Sequence, residues 1–176
     1  HDVKGAKFNP RYLVGALTER GPRLVLTGYL GHQWELYAMW AWIGSFMLYV
    51  IGDRSLIGDS LDLASALTFL VFAVGAVASS FAGMWSEKIG RTAVASIAMI
   101  ISGGTAAFIG FLPPEMTILI VVMAMIWGAS VIADSAQFST AMTELSDPVY
   151  RGTMLTFQTG VGFALTAVSI WLLPIV

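Results

Sequence analysis

Met116-Thr-Ile-Leu-Ile-Val-Val-Met-Ala-Met-Ile-Trp-Gly-Ala-Ser-Val-Ile-Ala133 carries no ionisable side chain. Strands are usually far shorter than this run, and a helix that crosses a bilayer needs about 20 mostly apolar residues. The stretch therefore predicts a transmembrane helix. The pattern recurs on both sides of it. Residues 63–82, 92–112 and 152–176 also lack ionisable groups, and 29–51 hold only His32 and Glu35. Five spans are expected, at about 24–51, 61–82, 92–112, 115–141 and 148–174, forming one all-α membrane bundle over 24–176. Residues 1–23 precede it as a separate polar segment.

Composition agrees with this reading. Of the 176 residues, 57% are hydrophobic and 11% charged, with a mean hydropathy of +0.78. A soluble domain carries roughly 25% charged residues, and disorder needs more charge and less apolar content. Disorder is excluded, and the composition argues against an ordinary water-soluble domain. The absence of cysteine excludes disulfides, thiolate metal sites and a cysteine nucleophile. A net charge of −2 gives no ground for nucleic-acid binding. The polar first 23 residues do not read as a secretory signal. A start at His1 and an end inside an apolar run are read as those of a piece of a longer protein.

The connections carry turn chemistry. Asp59 and Ser60 are expected to cap the second span, Pro113-Pro114 to break the chain before the fourth, and Asp147-Pro148 to supply an N-cap and first turn for the fifth. Asn9-Pro10 is expected to start a short surface helix through Arg20, with Tyr12, Leu13 and Leu17 toward the membrane and Gly21-Pro22 as its stop. Lys4, Lys7, Arg11, Arg20, Arg23, Lys88, Arg91 and Arg151 fall on one side of the five spans, and Arg54 on the other. The positive-inside rule makes the basic side cytoplasmic, so the N-terminal end is expected inside a cell (inner or plasma) membrane.

Between the second and third spans stands Gly83-Met-Trp-Ser-Glu87-Lys88-Ile-Gly90-Arg91. It resembles the loop signature of the major facilitator superfamily: glycine, three residues, an acid, a base, any residue, glycine, arginine. Glu87 replaces the usual aspartate, and Thr92 stands where a further base is common. The physics is legible on its own terms, since Gly90 can take positive φ and Gly83 can let helices approach. A second element, Glu144-Leu-Ser-Asp147-Pro148-Val-Tyr-Arg151-Gly152, looks like the acid-to-Arg-Gly element before the fifth helix of a facilitator half. The segment 28–42 resembles the seventh helix of a prokaryotic facilitator subgroup loosely grouped with nitrate and cyanate porters. The resemblance implies helices seven to eleven of a twelve-helix bundle built of inverted repeats, an incomplete six-helix half whose N-terminal partner half is missing. It also implies a cytoplasmic latch of Glu87, Arg91, Glu144 and Arg151.

Ionisable groups inside a span cost about 2.5–3.5 kcal/mol on insertion scales, so they default to functional candidates. His32, Glu35 and Asp134 are such groups. Glu35 lies roughly 27 Å of helix from Asp53, and Asp134 roughly 28 Å from Glu115, so the two acids are expected at one level, facing a shared site. His32 and Glu35 share a helix face, with His32 expected to modulate Glu35. Trp127, Ser130, Asp134, Gln137 and Ala141 form a polar stripe, and Gln158 and Thr159 interrupt the fifth span. Trp34, Tyr37 and neighbouring aromatics are candidates for substrate contact or for packing. Gly75, Ser79 and Gly83 read as a small-residue packing stripe, and Gly103-Gly104 and Gly160-x-Gly162 as close-packing or bending points.

An acid held away from water favours its neutral form, so Glu35 or Asp134 is expected to load and release a proton. The expected function is a fragment of a secondary transporter that moves a small solute by alternating access, coupled to protons. No catalytic residue, metal or cofactor is expected. No Lys or Arg lies inside a span, which favours a cation or neutral solute over a small anion. A non-transporting receptor or interaction module, and more remotely a metalloenzyme using His32, Glu35 and Asp134, are the alternatives. One histidine in the spans is a poor start for the latter.

Overall fold

The computed structural model describes residues 10–52 and 60–172, with side chains from Leu13 onward. Among these residues the chain is helix and turn throughout: α1 (Pro10–Thr18), α2 (Arg20–Ile51), α3 (Ser60–Ile89), α4 (Arg91–Ile109), a 3₁₀ turn (Pro114–Met116), α5 (Thr117–Ala133), α6 (Ser135–Leu145) and α7 (Arg151–Leu172). Asp53, Arg54, Asp59, Lys4 and Lys7 lie outside the described residues, so the Asp59 cap and those charges of the orientation argument do too.

Helix ends follow local chemistry, with several departures from expectation. Gly21-Pro22 does not stop a helix. It opens α2, where proline in the first turn has no intrahelical donor to lose. Residues 83–89 are not a loop but the last two turns of α3, because nothing in them breaks a helix. The connection to α4 is Gly90 alone, at φ 89° and ψ 147°, a region closed to other residues. Asp147 does not cap α7 directly. Its Oδ1 accepts from the Val149 N–H at 2.9 Å, forming a turn that leads into Arg151. Pro113 is extended and breaks the chain before α5, as expected.

The expected fourth span is interrupted at Asp134. Backbone bonding tightens there, with the Gln137 N–H on the Asp134 carbonyl at 2.9 Å. Neither proline nor glycine stands at this point. The Asp134 and Ser135 side chains at this point both turn to His32 on α2 and make no local cap.

Four helices are long and apolar enough to cross a membrane: Ser60–Ile89, Arg91–Ile109, Pro114–Leu145 (the 3₁₀ turn with α5 and α6) and Arg151–Leu172. In the most apolar window of α3 only 17% of residues are buried within the protein. Phe69, Ile100, Phe108 and Ile118 all point outward. In water such surfaces would collapse on one another, whereas lipid covers them at no cost. This distribution fits an all-α membrane protein. α2 has the length, but its tryptophans, tyrosines, Gln33 and Glu35 hold it short of the same hydropathy.

α2 nevertheless organises the bundle. Leu36, Met39, Ile43, Met47 and Val50 recur at three- and four-residue steps and pack with Val71, Ile120, Ala124 and Val131 into one apolar core. At the other end Ala16, Leu26, Met142 and Met154 form a smaller one. α3 and α5 make the closest crossing, where a Cβ on Gly75 would stand 2.7 Å from the Gly128 carbonyl oxygen, and one on Gly128 2.8 Å from that of Val71. Of the expected stripe of Gly75, Ser79 and Gly83, Gly75 is the glycine at this crossing, where it faces Gly128. A Cβ on Gly83 would meet nothing within 4 Å, so Gly83 mediates no approach.

Candidate functional site

Between the two apolar cores lies a polar layer. α2 contributes His32 and Gln33, the interruption of α5 and α6 contributes Asp134 and Gln137, and α7 contributes Gln158, all at most 4% exposed. His32 Nδ1 stands 2.8 Å from Asp134 Oδ1. The approach is short without the alignment of a straight hydrogen bond, and neither atom has another partner. We read it as an acid–imidazole contact, because distance sets its electrostatics. On the far side of the ring, Nε2 lies 3.1 Å from Ser135 Oγ. A hydroxyl both donates and accepts, so Ser135 can serve Nε2 whether or not that nitrogen bears a proton. The imidazole thus has a hydrogen-bonding hydroxyl at Nε2 and a carboxyl oxygen in electrostatic contact at Nδ1.

Glu35 sits in a second environment. Its Oε1 accepts from Trp127 Nε1 at 2.8 Å and its Oε2 from Ser102 Oγ at 3.1 Å, joining α2 to α5 and α4. Its spacing from His32 would allow a pair, but His32 turns to Asp134 instead. The two acids thus have different contacts, one an imidazole and the other neutral donors, while Glu35 stays within electrostatic reach of both Asp134 and His32. Ser130, on the expected stripe, bonds its own helix at the Ile126 carbonyl.

The buried glutamines are less satisfied. Gln158 is 1% exposed, and neither its Oε1 nor its Nε2 has a partner; Gln137 Oε1 has none either. A buried polar group left unpaired costs about 1–3 kcal/mol, so each calls for a reason. One turn from Gln158 the helices are closely packed: a Cβ on Gly162 would stand 2.5 Å from the Tyr29 ring and 3.1 Å from Gln33 Cγ. Gly162 therefore brings α7 against α2, while Gly103, Gly104 and Gly160 have open space. Tyr37 packs its ring on Trp40 and Phe163 in the apolar half, and Trp34 is partly buried.

Of the expected latch, Arg91 Nε meets Glu144 Oε1 at 2.8 Å, joining the start of α4 to the end of α6. Glu87, Lys88, Arg151 and Gly152 are exposed.

Sequence reasoning did not single out Ser102, Ser135 or Phe138. Serines in apolar helices usually bond their own backbone, as Ser102 also does to the Met99 carbonyl, so their types carried no signal. Phe138 stood out as little as any aromatic in a span, yet its ring centroid lies 5.6 Å from that of His32 and 6.3 Å from that of Tyr29.

Among the described residues no three His, Asp or Glu side chains gather as a metal site. Comparison with protein-family models, with curated proteins and with solved structures yields no match.

Proposed function

We propose that this chain is part of a secondary active transporter of the facilitator type, in which the His32–Asp134 pair carries protons as a small solute crosses the membrane. One observation carries the reading: a carboxylate sealed from solvent sits at the interruption of an apolar, membrane-length helix, 2.8 Å from an imidazole. Intramembrane ionisable groups are costly, and interrupted helices recur where transporters bind substrate and coupling ions. The glycine–acid–base–glycine–arginine element and the Arg91–Glu144 contact between α4 and α6 support the same reading. On it, α2 also crosses the membrane and brings the spans to five, the Arg91 end faces the cytoplasm, and a second helical half completes the solute path. Arg20, Arg23, Lys88, Arg91 and Arg151 all lie in the end turns of their helices, so no Lys or Arg stands in the middle of a described span and the solute is a cation or a neutral molecule.

The test uses the full-length protein containing this chain, reconstituted in proteoliposomes with a trapped pH dye. Organic cations, amino acids and sugars are added in turn as candidate solutes. A solute-dependent proton flux that disappears in Asp134→Asn is the expected result. A flux unchanged by Asp134→Asn, or no solute-dependent flux across the panel, rejects proton coupling at this pair.

A further inference from the structure

A crevice of about 330 Å³ opens between α2, α4 and α6 at the Arg91 end of the bundle. Arg91 and Leu145 line its outer part, Ala95 and Met99 its α4 wall, and Gln137 and Phe138 its α6 wall. Met99 marks the deep end, because its Cε lies 3.8 Å from where a Cβ of Gly31, the neighbour of His32, would stand. Most of the lining is apolar, but Thr92, Ser96 and Gln137 interrupt it, and Gln137 Oε1, itself shut off from solvent, has no donor in this closed arrangement. Water admitted at this wall would satisfy it, which an acyl chain cannot do.

Phe138 stands between this crevice and the acid–imidazole pair. It lies one helical turn from Asp134 on α6, so the two share a face. Its ring packs on those of His32 and Tyr29. It fits because residue 28 is glycine: a Cβ there would stand 2.7 Å from Phe138 Cε1. We propose that the crevice is a water path from the Arg91 end toward His32 and Asp134, and that the Phe138 ring, seated on Gly28, is the plug that closes it. The proposal gives a route to the pair on which the transporter reading rests, but its test reads water access rather than transport, so the two stand or fall separately.

The chain has no cysteine, so single-cysteine probes can be placed cleanly within it. Any cysteine elsewhere in the full-length protein would first be replaced. Thr92→Cys reports the mouth and Ser135→Cys, at the position whose side chain meets His32 Nε2 behind the ring, the deep end of the path, each labelled in membranes by a charged, water-borne methanethiosulfonate. The mouth probe is expected to react in every background. The deep probe is expected to react slowly beside Phe138 and at least about tenfold faster beside Phe138→Ala, because the ring no longer shields the route. Gly28→Ala, which displaces the ring without removing it, should also speed the deep probe. Phe138→Leu keeps the bulk and should hold it slow, which controls for general loosening. Equal deep-probe rates in the wild-type and Phe138→Ala backgrounds overturn the plug. A deep probe labelled only by a membrane-soluble maleimide overturns the water path and makes the crevice a lipid-filled groove.

Discussion

His32 Nδ1 and Asp134 Oδ1 stand 2.8 Å apart, the one on α2 and the other at the interruption between α5 and α6, with both side chains at most 2% exposed. Breaking such a pair leaves one member buried alone, which costs about 3–5 kcal/mol, while replacing both with apolar groups is often neutral. His32→Ala and Asp134→Ala are each expected to destabilise by that order. His32→Met with Asp134→Leu should cost less than either single change. Unfolding of detergent-solubilised protein by denaturant titration measures all three. Purely additive losses would remove the pair as an energetic unit.

Glu35 is held separately, by the Trp127 indole and the Ser102 hydroxyl. A hydrogen bond to a charged group contributes about 1.5–3 kcal/mol, so Trp127→Phe should lose that order of stability in wild type and much less beside Glu35→Gln. Glu35 and Asp134 have different close contacts but act electrostatically on one another, and both on His32, so Glu35→Gln and Asp134→Asn are expected to couple by about 0.5 kcal/mol or more in a double-mutant cycle. Additive losses would make the two acids independent centres.

These two centres show what a sequence can and cannot convey. The apolar runs declared the helices, because span length and missing charge are one-dimensional properties. His32, Glu35 and Asp134 were visible for the same reason, as charges where charges are costly. Which acid the imidazole meets was not visible. His32 and Glu35 are three residues apart on one helix, so local geometry favoured their pairing. The rotation of α2 against α5 and α6 decides otherwise, and it rests on contacts distant in sequence, such as Gly28 beneath Phe138 and Gly162 beneath Tyr29. The helical continuation of 83–89 was hidden by its charged residues, which resembled a loop but sit on the exposed face of a helix end.

The Arg91–Glu144 contact predicts a small energetic effect and a larger conformational one. The two side chains are 31% and 56% exposed, and pairs in such settings contribute about 0–1 kcal/mol. Arg91→Ala should leave the unfolding midpoint nearly unchanged. If the contact holds one access state, Arg91→Ala should shift the accessibility of cysteines on the two faces, and the exchange Arg91→Glu with Glu144→Arg should recover it. Glu87→Ala and Arg151→Ala, at exposed positions beside the contact, should not mimic the effect. Identical labelling in Arg91→Ala and wild type would make the contact only a tie between helix ends.

The α3–α5 crossing gives the sharpest stability contrast. An alanine Cβ at position 75 would stand 2.7 Å from the Gly128 carbonyl oxygen, and one at 128 would stand 2.8 Å from that of Val71. These are backbone atoms, so no rotamer change relieves them and the helices must separate. Overpacking of this kind costs about 1–3 kcal/mol. Gly75→Ala and Gly128→Ala are each expected to lower the thermal midpoint of the detergent-solubilised protein. Gly90→Ala should do so for a different reason, because φ of 89° strains any Cβ by about 1–3 kcal/mol. Gly83→Ala and Gly103→Ala meet open space inside a helix, so they should be neutral or stabilising by about 0.5–1 kcal/mol through the higher helix propensity of alanine. Comparable losses at positions 75 and 83 would mean that the glycines of α3 serve a common packing stripe and that the crossing with α5 is not its centre.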